Sequence, residues 1–247
     1  MNGDEPEGKQ NYFRVHRAPE PHAGSHELLA GLEGTDLVPA AGRYCVVETE
    51  PGAEVPLRLA HPFIIFPEGL SYTAEPDLDH PMMIAAKGPG GSGGATASRA
   101  SAGSRTVYFP GQIDRLHGKG GLPDLSTLMA NAVRWCAAGS LPLLCEAPNT
   151  VYAALRLQEG RAMIHLVNLS GGRRYLRQII PLRNIAVRIK KDLPVLPSSA
   201  RAVGAYLLPQ TGSSTGSKRL AVRDEDNRFT VVVPELRDYE VLVIEGA

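Results

Sequence analysis

The stretch TVYFPGQIDRLHGKGGLPDLSTLMANAVRWCAA, residues 106–138, carries the reading of the fold. Within it Leu125, Leu128, Met129, Ala132, Val133 and Cys136 recur at the spacing that brings apolar side chains onto one face of an α-helix. Pro123 suits a first helical turn, where a missing N–H costs nothing. Asp124 complements the positive end of the helix dipole, and Gly139 is placed to take the left-handed conformation that ends a helix. The spacing predicts a helix from Pro123 to Ala138. Ahead of it, Thr106 to Phe109 has the length and composition of a strand. A strand, a long polar connection and a helix make a β-to-α unit, so the expected fold class for the first half is α/β.

On the N-terminal side, the apolar segment Pro81 to Ala86 is also strand-like. Between it and Arg105 to Phe109 lies GPGGSGGATASRASAGS, residues 88–104. Its glycines and small polar residues bury too little surface to offset their ordering entropy, so a flexible insertion joining two neighbouring strands is expected. Lengthening such a hairpin loop costs little in closure entropy. On the C-terminal side, Val151 to Leu157, Ala162 to Leu169, Ile185 to Lys191, Ala202 to Leu208, Arg219 to Arg223, Phe229 to Val233 and Tyr239 to Ile244 are strand-length runs between turn residues. Ile185, Val187 and Ile189 alternate with Ala186, Arg188 and Lys190, as in a sheet with one buried face. Glu159 and Gly160 are placed as a hairpin turn, and Thr211 to Ser217 as a flexible tip. These runs predict an antiparallel β-sandwich. The expected organisation is a polar N-terminal segment over 1–25, a partial α/β domain over 26–140 and a sandwich over 141–247.

Composition narrows the partners. The 247 residues carry 26 basic and 26 acidic side chains, a net charge of +0, which gives no general field for nucleic acid or acidic lipid. No run approaches the roughly 18 apolar residues that span a bilayer. Asp4, Glu5 and Glu7 stand where an export signal would be basic, so no such signal is read. The three cysteines, Cys45, Cys136 and Cys145, lack metal-ligand or CxxC spacing. They read as buried thiols in a reducing cytosol, and the chain as cytoplasmic, with no metal, cofactor, nucleic-acid partner or membrane.

Among candidate sites, PGQIDRLHGKGG (Pro110 to Gly121) follows a strand's carboxyl end and gathers Asp114, Arg115, His117 and Lys119. One reading is a polar site for a hydroxylated ligand or a neighbouring domain. The other, favoured by how common weak surface ion pairs are, has Asp114 and Arg115 pinning the loop while His117 and Lys119 face water. The glycines match no phosphate loop. His61 and His80 precede prolines and read as turn residues, and His165 as a strand residue with a satisfied ring. Cys136, on the apolar stripe, reads as core, because a nucleophilic thiolate needs an electropositive setting. Glu68, Glu75, Asp77 and Asp79 offer no assignable acid–base pair, so no catalytic residue is named. Arg173, Arg174, Arg177, Arg183, Arg188, Lys190 and Lys191 read as a solvated face, since Tyr175 alone could stack on a base.

Three segments taken together resemble a known arrangement. HELLAGLEGTDLVP (His26 to Pro39), YFPGQIDRLHGKGGLPDLSTLMANAVRW (Tyr108 to Trp135) and LRLQEGRAMIHLVNLS (Leu155 to Ser170) resemble the C-terminal portion of multidomain glycoside hydrolases. Those proteins carry a catalytic (β/α)8 barrel, a β-galactosidase trimerisation-like domain related to class I glutamine amidotransferases, and a β-sandwich. The resemblance covers most of the chain from about His26. It implies that Leu28 to Trp135 is the later part of a Rossmann- or flavodoxin-like amidotransferase-type domain, and Leu143 to Ile244 the terminal sandwich. It implies no catalytic role for either, since the barrel has no counterpart here, and leaves open a truncated gene, a gene-model fragment or one product of a split gene. The function expected is a non-catalytic part of a β-galactosidase-like hydrolase, serving domain packing or oligomerisation. Its partners would be a catalytic barrel domain or subunit and further copies of the chain, through Asp114, Arg115 and His117. The alternative is a carbohydrate-binding sandwich. A small cysteine amidotransferase ranks last, because neither Cys45 nor Cys136 sits in a strand–turn–helix elbow.

Overall fold

A computed structural model describes residues 2–3, 11–15, 26–40, 43–63, 76–88, 104–172, 178–196, 203–208 and 216–246. Most of the expected flexible insertion and of the 211–217 tip lies outside them, as do Glu68, Glu75, Arg173, Arg174, Tyr175 and Arg177. The chain divides into two compact units, Met1–Ser140 and Leu141–Ala247.

The first unit contains β1 (Asn2–Gly3), β2 (Asn11–Val15), β3 (Leu37–Ala40), β4 (Tyr44–Cys45), β5 (Glu54–Leu59), β6 (Leu78–Lys87), β7 (Arg105–Tyr108), α1 (Ile113–Gly120) and α2 (Pro123–Ala137). Five strands form one sheet in the order β3-β2-β5-β6-β7, and β1 pairs with β4. Every pairing is antiparallel. The β5–β6 ladder shifts register three times between Glu54 and Leu59. Pro56 and Pro81 lie in these strands and have no N–H to give to a ladder, which accounts for bulging there. β6 and β7 pair directly, Lys87 opposite Arg105, as expected for the strands flanking residues 88–104.

This architecture overturns the α/β, Rossmann- or flavodoxin-like expectation for the first half. A β-to-α unit builds a parallel sheet only if the helix returns the chain to a strand beside the one it left. Here β7 is the last strand of its sheet. The next strand after α2 is β8 (Leu143–Glu146), which pairs with a strand of the second unit. The helix is real, but the crossover that would make it part of an α/β fold does not occur. α1 is the second departure: residues 113–120 were expected as loop. Ile113 is buried and Leu116 packs on the core one turn later, which outweighs the poor helix propensity of Gly118 and Gly120. Gly121, left-handed at φ 63°, ends α1 by donating its N–H to the His117 carbonyl at 2.7 Å.

α2 starts with Pro123 in its first turn, as the sequence indicates, but presents a different stripe. Leu125, Leu128, Asn131, Ala132 and Trp135 are buried, while Val133 and Cys136 are exposed. Trp135 supplies the largest apolar surface in the last two turns, and burying it rotates Val133 and Cys136 outward. The Arg105 guanidinium lies 5.2 Å from the Trp135 ring centroid and donates to the Trp135 carbonyl at 3.2 Å. Asn131 donates from its amide to the carbonyls of Leu28 (3.2 Å) and Ala30 (2.7 Å). That bond pair fixes the 3-10 turn Glu27–Leu29, which delivers Leu28 and Leu29 to the core.

Ala138 already takes the left-handed conformation at φ 47°, one residue before Gly139 at φ 78°. A Cβ is disfavoured there, whereas glycine is not. Ala138→Gly is therefore expected to stabilise the first unit by about 0.5–1 kcal/mol, read as a rise in the urea midpoint.

The second unit is a sandwich. Besides β8 it contains β9 (Val151–Gln158), β10 (Arg161–Asn168), β11 (Leu182–Lys190), β12 (Val203–Leu207), β13 (Lys218–Leu220), β14 (Val222–Glu225), β15 (Arg228–Leu236) and β16 (Tyr239–Gly246). One sheet runs β13-β12-β16-β10-β9 and the other β14-β15-β11-β8. Ile164, Leu166 and Leu242 of the first face Ile185, Val187, Ile189, Phe229 and Val231 of the second in one buried cluster. The β9–β10 hairpin turns on Glu159 and Gly160, with Gln158 opposite Arg161 and Gly160 at φ 73°. The run read as one strand over 219–223 is two: β13 joins one sheet and β14 the other, with Ala221 at the break. β8 was unrecognised because four residues between Pro142 and Pro148 show too little periodicity.

Candidate functional site

A small open niche lies at one end of the inward face of the first unit's sheet, about 200 Å³ with its solvent-filled mouth included. Phe13 from β2, Leu59 from β5 and Met82 from β6 form its apolar floor. Arg43, Tyr44, Gly111 and Gln112 form its rim. Two backbone contacts hold that rim: Tyr44 bridges to Gly111, and the Cys45 N–H donates to the Pro110 carbonyl at 3.0 Å. A side chain at Gly111 would crowd the niche, since a Cβ would stand 3.0 Å from the Met82 methyl and 3.4 Å from Phe13, so these neighbours would have to give by a few tenths of an ångström. Burial pushes the Tyr44 phenol pKa above its ordinary value.

Asn11 closes the inner end. In NYFRV the inward positions are Asn11, Phe13 and Val15, so strand alternation carries an amide into an apolar layer. Asn11 is 3% exposed, and among the described residues neither its Nδ2 nor its Oδ1 has a hydrogen-bond partner. Sequence reading placed Asn11 in a polar terminal segment and missed it. The signal was there: a polar residue at the inward phase of an alternating strand.

The loop singled out in the sequence reaches this niche through Gly111 and Gln112, not through its charged residues. Asp114 and Arg115 are exposed on α1, and Arg115 donates to the Gln112 Oε1 at 3.1 Å. His117 is half-buried, its Nδ1 3.2 Å from the Ser126 hydroxyl of α2. Asp114, Arg115 and His117 thus occupy one short helix without converging on a common atom.

Other expected groups are committed elsewhere. Asp77 accepts from Arg14 at 2.7 Å, and Asp79 pairs with Arg58. Of the basic residues read as a solvated face, the four described ones are paired: Arg183 with Glu235, Arg188 with Glu146 and Glu225, Lys190 with Asp192, and Lys191 with Asp224. His80 tilts against Tyr44. Among the described residues no three His, Cys, Asp or Glu side chains gather as metal ligands, and no helix is long and apolar enough to cross a membrane.

The cysteines differ from expectation. Cys45 and Cys136 are exposed, and Cys145 is half-buried. Burial, reinforced by the neighbouring Glu146 charge, raises the Cys145 thiol pKa. A raised pKa lowers the thiolate fraction at neutral pH, so Cys145 should react more slowly. With a disulfide reagent at pH 7.5, Cys45 and Cys136 are expected to titrate first, and Cys145 to follow on denaturation or at higher pH. Equal rates at all three would contradict this.

A second surface lies on the outer face of the five-stranded sheet of the sandwich. Tyr152 and Tyr239 sit opposite Val167 from either side, in β9 and β16, and are 57% and 43% exposed. His165, two residues from Val167, stacks on Tyr239 at 6.0 Å and hydrogen-bonds its hydroxyl.

No protein-family model matches the chain, and no curated protein matches it significantly. All of it superposes on 33% of α-L-fucosidase isoenzyme 2 from Paenibacillus thiaminolyticus, with a TM-score of 0.63 and 18% identity. Weaker likenesses are to the β-galactosidase from Bacillus circulans sp. alkalophilus and to a catalytic mutant of a GH42 β-galactosidase from G. stearothermophilus. These cover 98% and 100% of this chain and 23% and 22% of theirs, at 13% and 10% identity, both with a TM-score of 0.43. The chain thus spans about a third of the fucosidase and less than a quarter of either β-galactosidase. At this identity the fucosidase match shows that the fold occurs within that larger protein, and the two β-galactosidase matches are too weak to add to it.

Proposed function

We propose that the chain is a non-catalytic accessory region of a glycoside hydrolase, acting beside a catalytic barrel carried on the same protein or on a partner subunit. The observation that carries this reading is the superposition of the whole chain on one third of an α-L-fucosidase. The chemistry of the candidate site agrees with it. Hydrolysing a glycosidic bond takes two carboxyl groups flanking that bond. The niche offers two amides, a phenol and a guanidinium. Asp77 and Asp79 are held by arginines. Asp114 and Arg115, exposed on α1, are the side chains proposed to meet the partner domain or a second copy of the chain.

The test is an assay of the purified chain on 4-nitrophenyl glycosides of L-fucose, D-galactose and D-glucose. The expected result is no release above buffer, and turnover at about 1 s⁻¹ or faster would overturn the reading.

A second reading, a carbohydrate-binding sandwich, is favoured by the Tyr152–His165–Tyr239 face. Strands two apart in a sheet lie about 10 Å from each other, so the two rings could each stack on a sugar of one extended glycan. Calorimetry of the full chain against neutral oligosaccharides is expected to show binding that Tyr152→Ala and Tyr239→Ala each abolish. Binding indifferent to both variants, or none, removes this reading.

A further inference from the structure

We infer that the niche closed by Asn11 is a subsite for one hydroxyl group of a neutral polyhydroxylated ligand, with Asn11 as the recognising residue. A carboxamide that is 3% exposed normally finds partners for its donor and its acceptor, because burial without them costs free energy. Both atoms of Asn11 lack one. Asn11 lines a niche that opens to solvent, with its amide atoms themselves buried, so an entering group reaches them only as the neighbouring side chains give way.

The missing partner must both donate and accept. A carboxylate or phosphate oxygen can only accept and would leave Oδ1 unpaired. An ammonium can only donate and would leave Nδ2 unpaired. A hydroxyl does both. The rim adds a phenol at Tyr44, the guanidinium of Arg43, which can donate to a hydroxyl oxygen, and the amino group of Gln112, whose Oε1 is taken by Arg115. The floor of Phe13, Leu59 and Met82 suits the C–H surface beside a hydroxyl rather than a charge. The niche has room for about one water-sized group. Gly111 keeps that space open, because a Cβ there would press on Met82 and Phe13. Assigning the ligand to the sugars rests on the glycoside hydrolase reading; the demand for a hydroxyl rests on Asn11 alone.

The experiment is a titration of the ¹⁵N-labelled full chain with L-fucose, D-galactose and glycerol, followed at the side-chain amides of Asn11 and Gln112. The expected result is a saturable shift of both signals with a Kd in the millimolar range, absent in Asn11→Leu and weakened in Gly111→Ala. Each variant's own backbone spectrum reports that it folds. Saturation by glycerol but not by the sugars would uphold the hydroxyl subsite while separating it from the sugars. No saturable shift with any probe means that a water molecule alone satisfies Asn11, and overturns the inference, as does an undiminished Gln112 shift in Asn11→Leu. Hydrolysis of aryl glycosides by the chain would overturn the accessory reading without touching this result, so the two fail separately.

Discussion

Trp135→Ala is expected to destabilise the first unit by about 3–5 kcal/mol, the range for removing a buried tryptophan from a packed core. The indole is 5% exposed and belongs to the cluster built from Phe13, Leu57, Leu59, Leu125 and Leu128. It spans the end of α2, so its loss leaves a cavity that a helix anchored by Leu125 and Leu128 cannot collapse to fill. The Arg105 guanidinium also loses the ring it lies over, worth about a further 0.5–1 kcal/mol at a partly exposed site. Trp135→Phe keeps part of the buried area and should cost about half as much. Urea unfolding followed by circular dichroism is the appropriate measurement, because Trp135 is the single tryptophan and its removal abolishes the tryptophan signal. With a urea slope of about 1–3 kcal/mol per molar, the midpoint should fall by more than about 1 M. A midpoint unchanged within error would mean that Trp135 is not a core residue.

Asn168→Ala is expected to cost about 2–4 kcal/mol in the sandwich, by leaving polar groups without partners rather than by opening a cavity. Asn168 is 4% exposed at the end of β10. Its Nδ2 donates to the carbonyls of Ile180 at 2.7 Å and Arg237 at 2.8 Å, and its Oδ1 accepts from the Ser170 N–H at 3.1 Å. Ser170 in turn accepts from the Ile180 N–H at 2.9 Å through its hydroxyl. One amide therefore ties the β10 exit, the strand approach at 178–180 and the β15–β16 turn. Asn168→Asp should be at least as harmful, since it replaces both donors with a charge facing carbonyl oxygens. Hydrogen exchange should accelerate at Ser170 and Ile180 first, while the amides of Val187 and Val231, inside the sandwich core, keep their protection. Uniform exchange changes across the whole sandwich would point to a core defect instead.

How much was legible follows from how local each signal is. The α2 start was readable because Pro123 and Asp124 act on their own helix turn. Its buried face was not, because Val133, Cys136 and Trp135 are all acceptable on an apolar stripe until a sheet selects among them. The β9–β10 hairpin was readable from Glu159 and Gly160, which set the turn without distant help. α1 was hidden because Ile113 and Leu116 gain their burial from the remote cluster, against the local preference of Gly118 and Gly120. The niche was hidden for the same reason: Asn11, Tyr44 and Gln112 are far apart in sequence and meet through sheet pairing and the Tyr44–Gly111 bridge.

By itself the sequence determined the helix at 123, the alternation of Ile185, Val187 and Ile189, the strands on either side of residues 88–104, and the hairpin at 159–160. Each depends on backbone preferences and periodicity within a few residues, and such preferences survive in any fold. The tertiary structure alone decided that the first sheet is antiparallel, that β8 leaves α2 for the sandwich, and that Asn11, its amide unpartnered among the described residues, lines an open niche. Strand direction and side-chain company are set by which distant segments exclude water together, and that free energy belongs to the assembled core rather than to any stretch of chain.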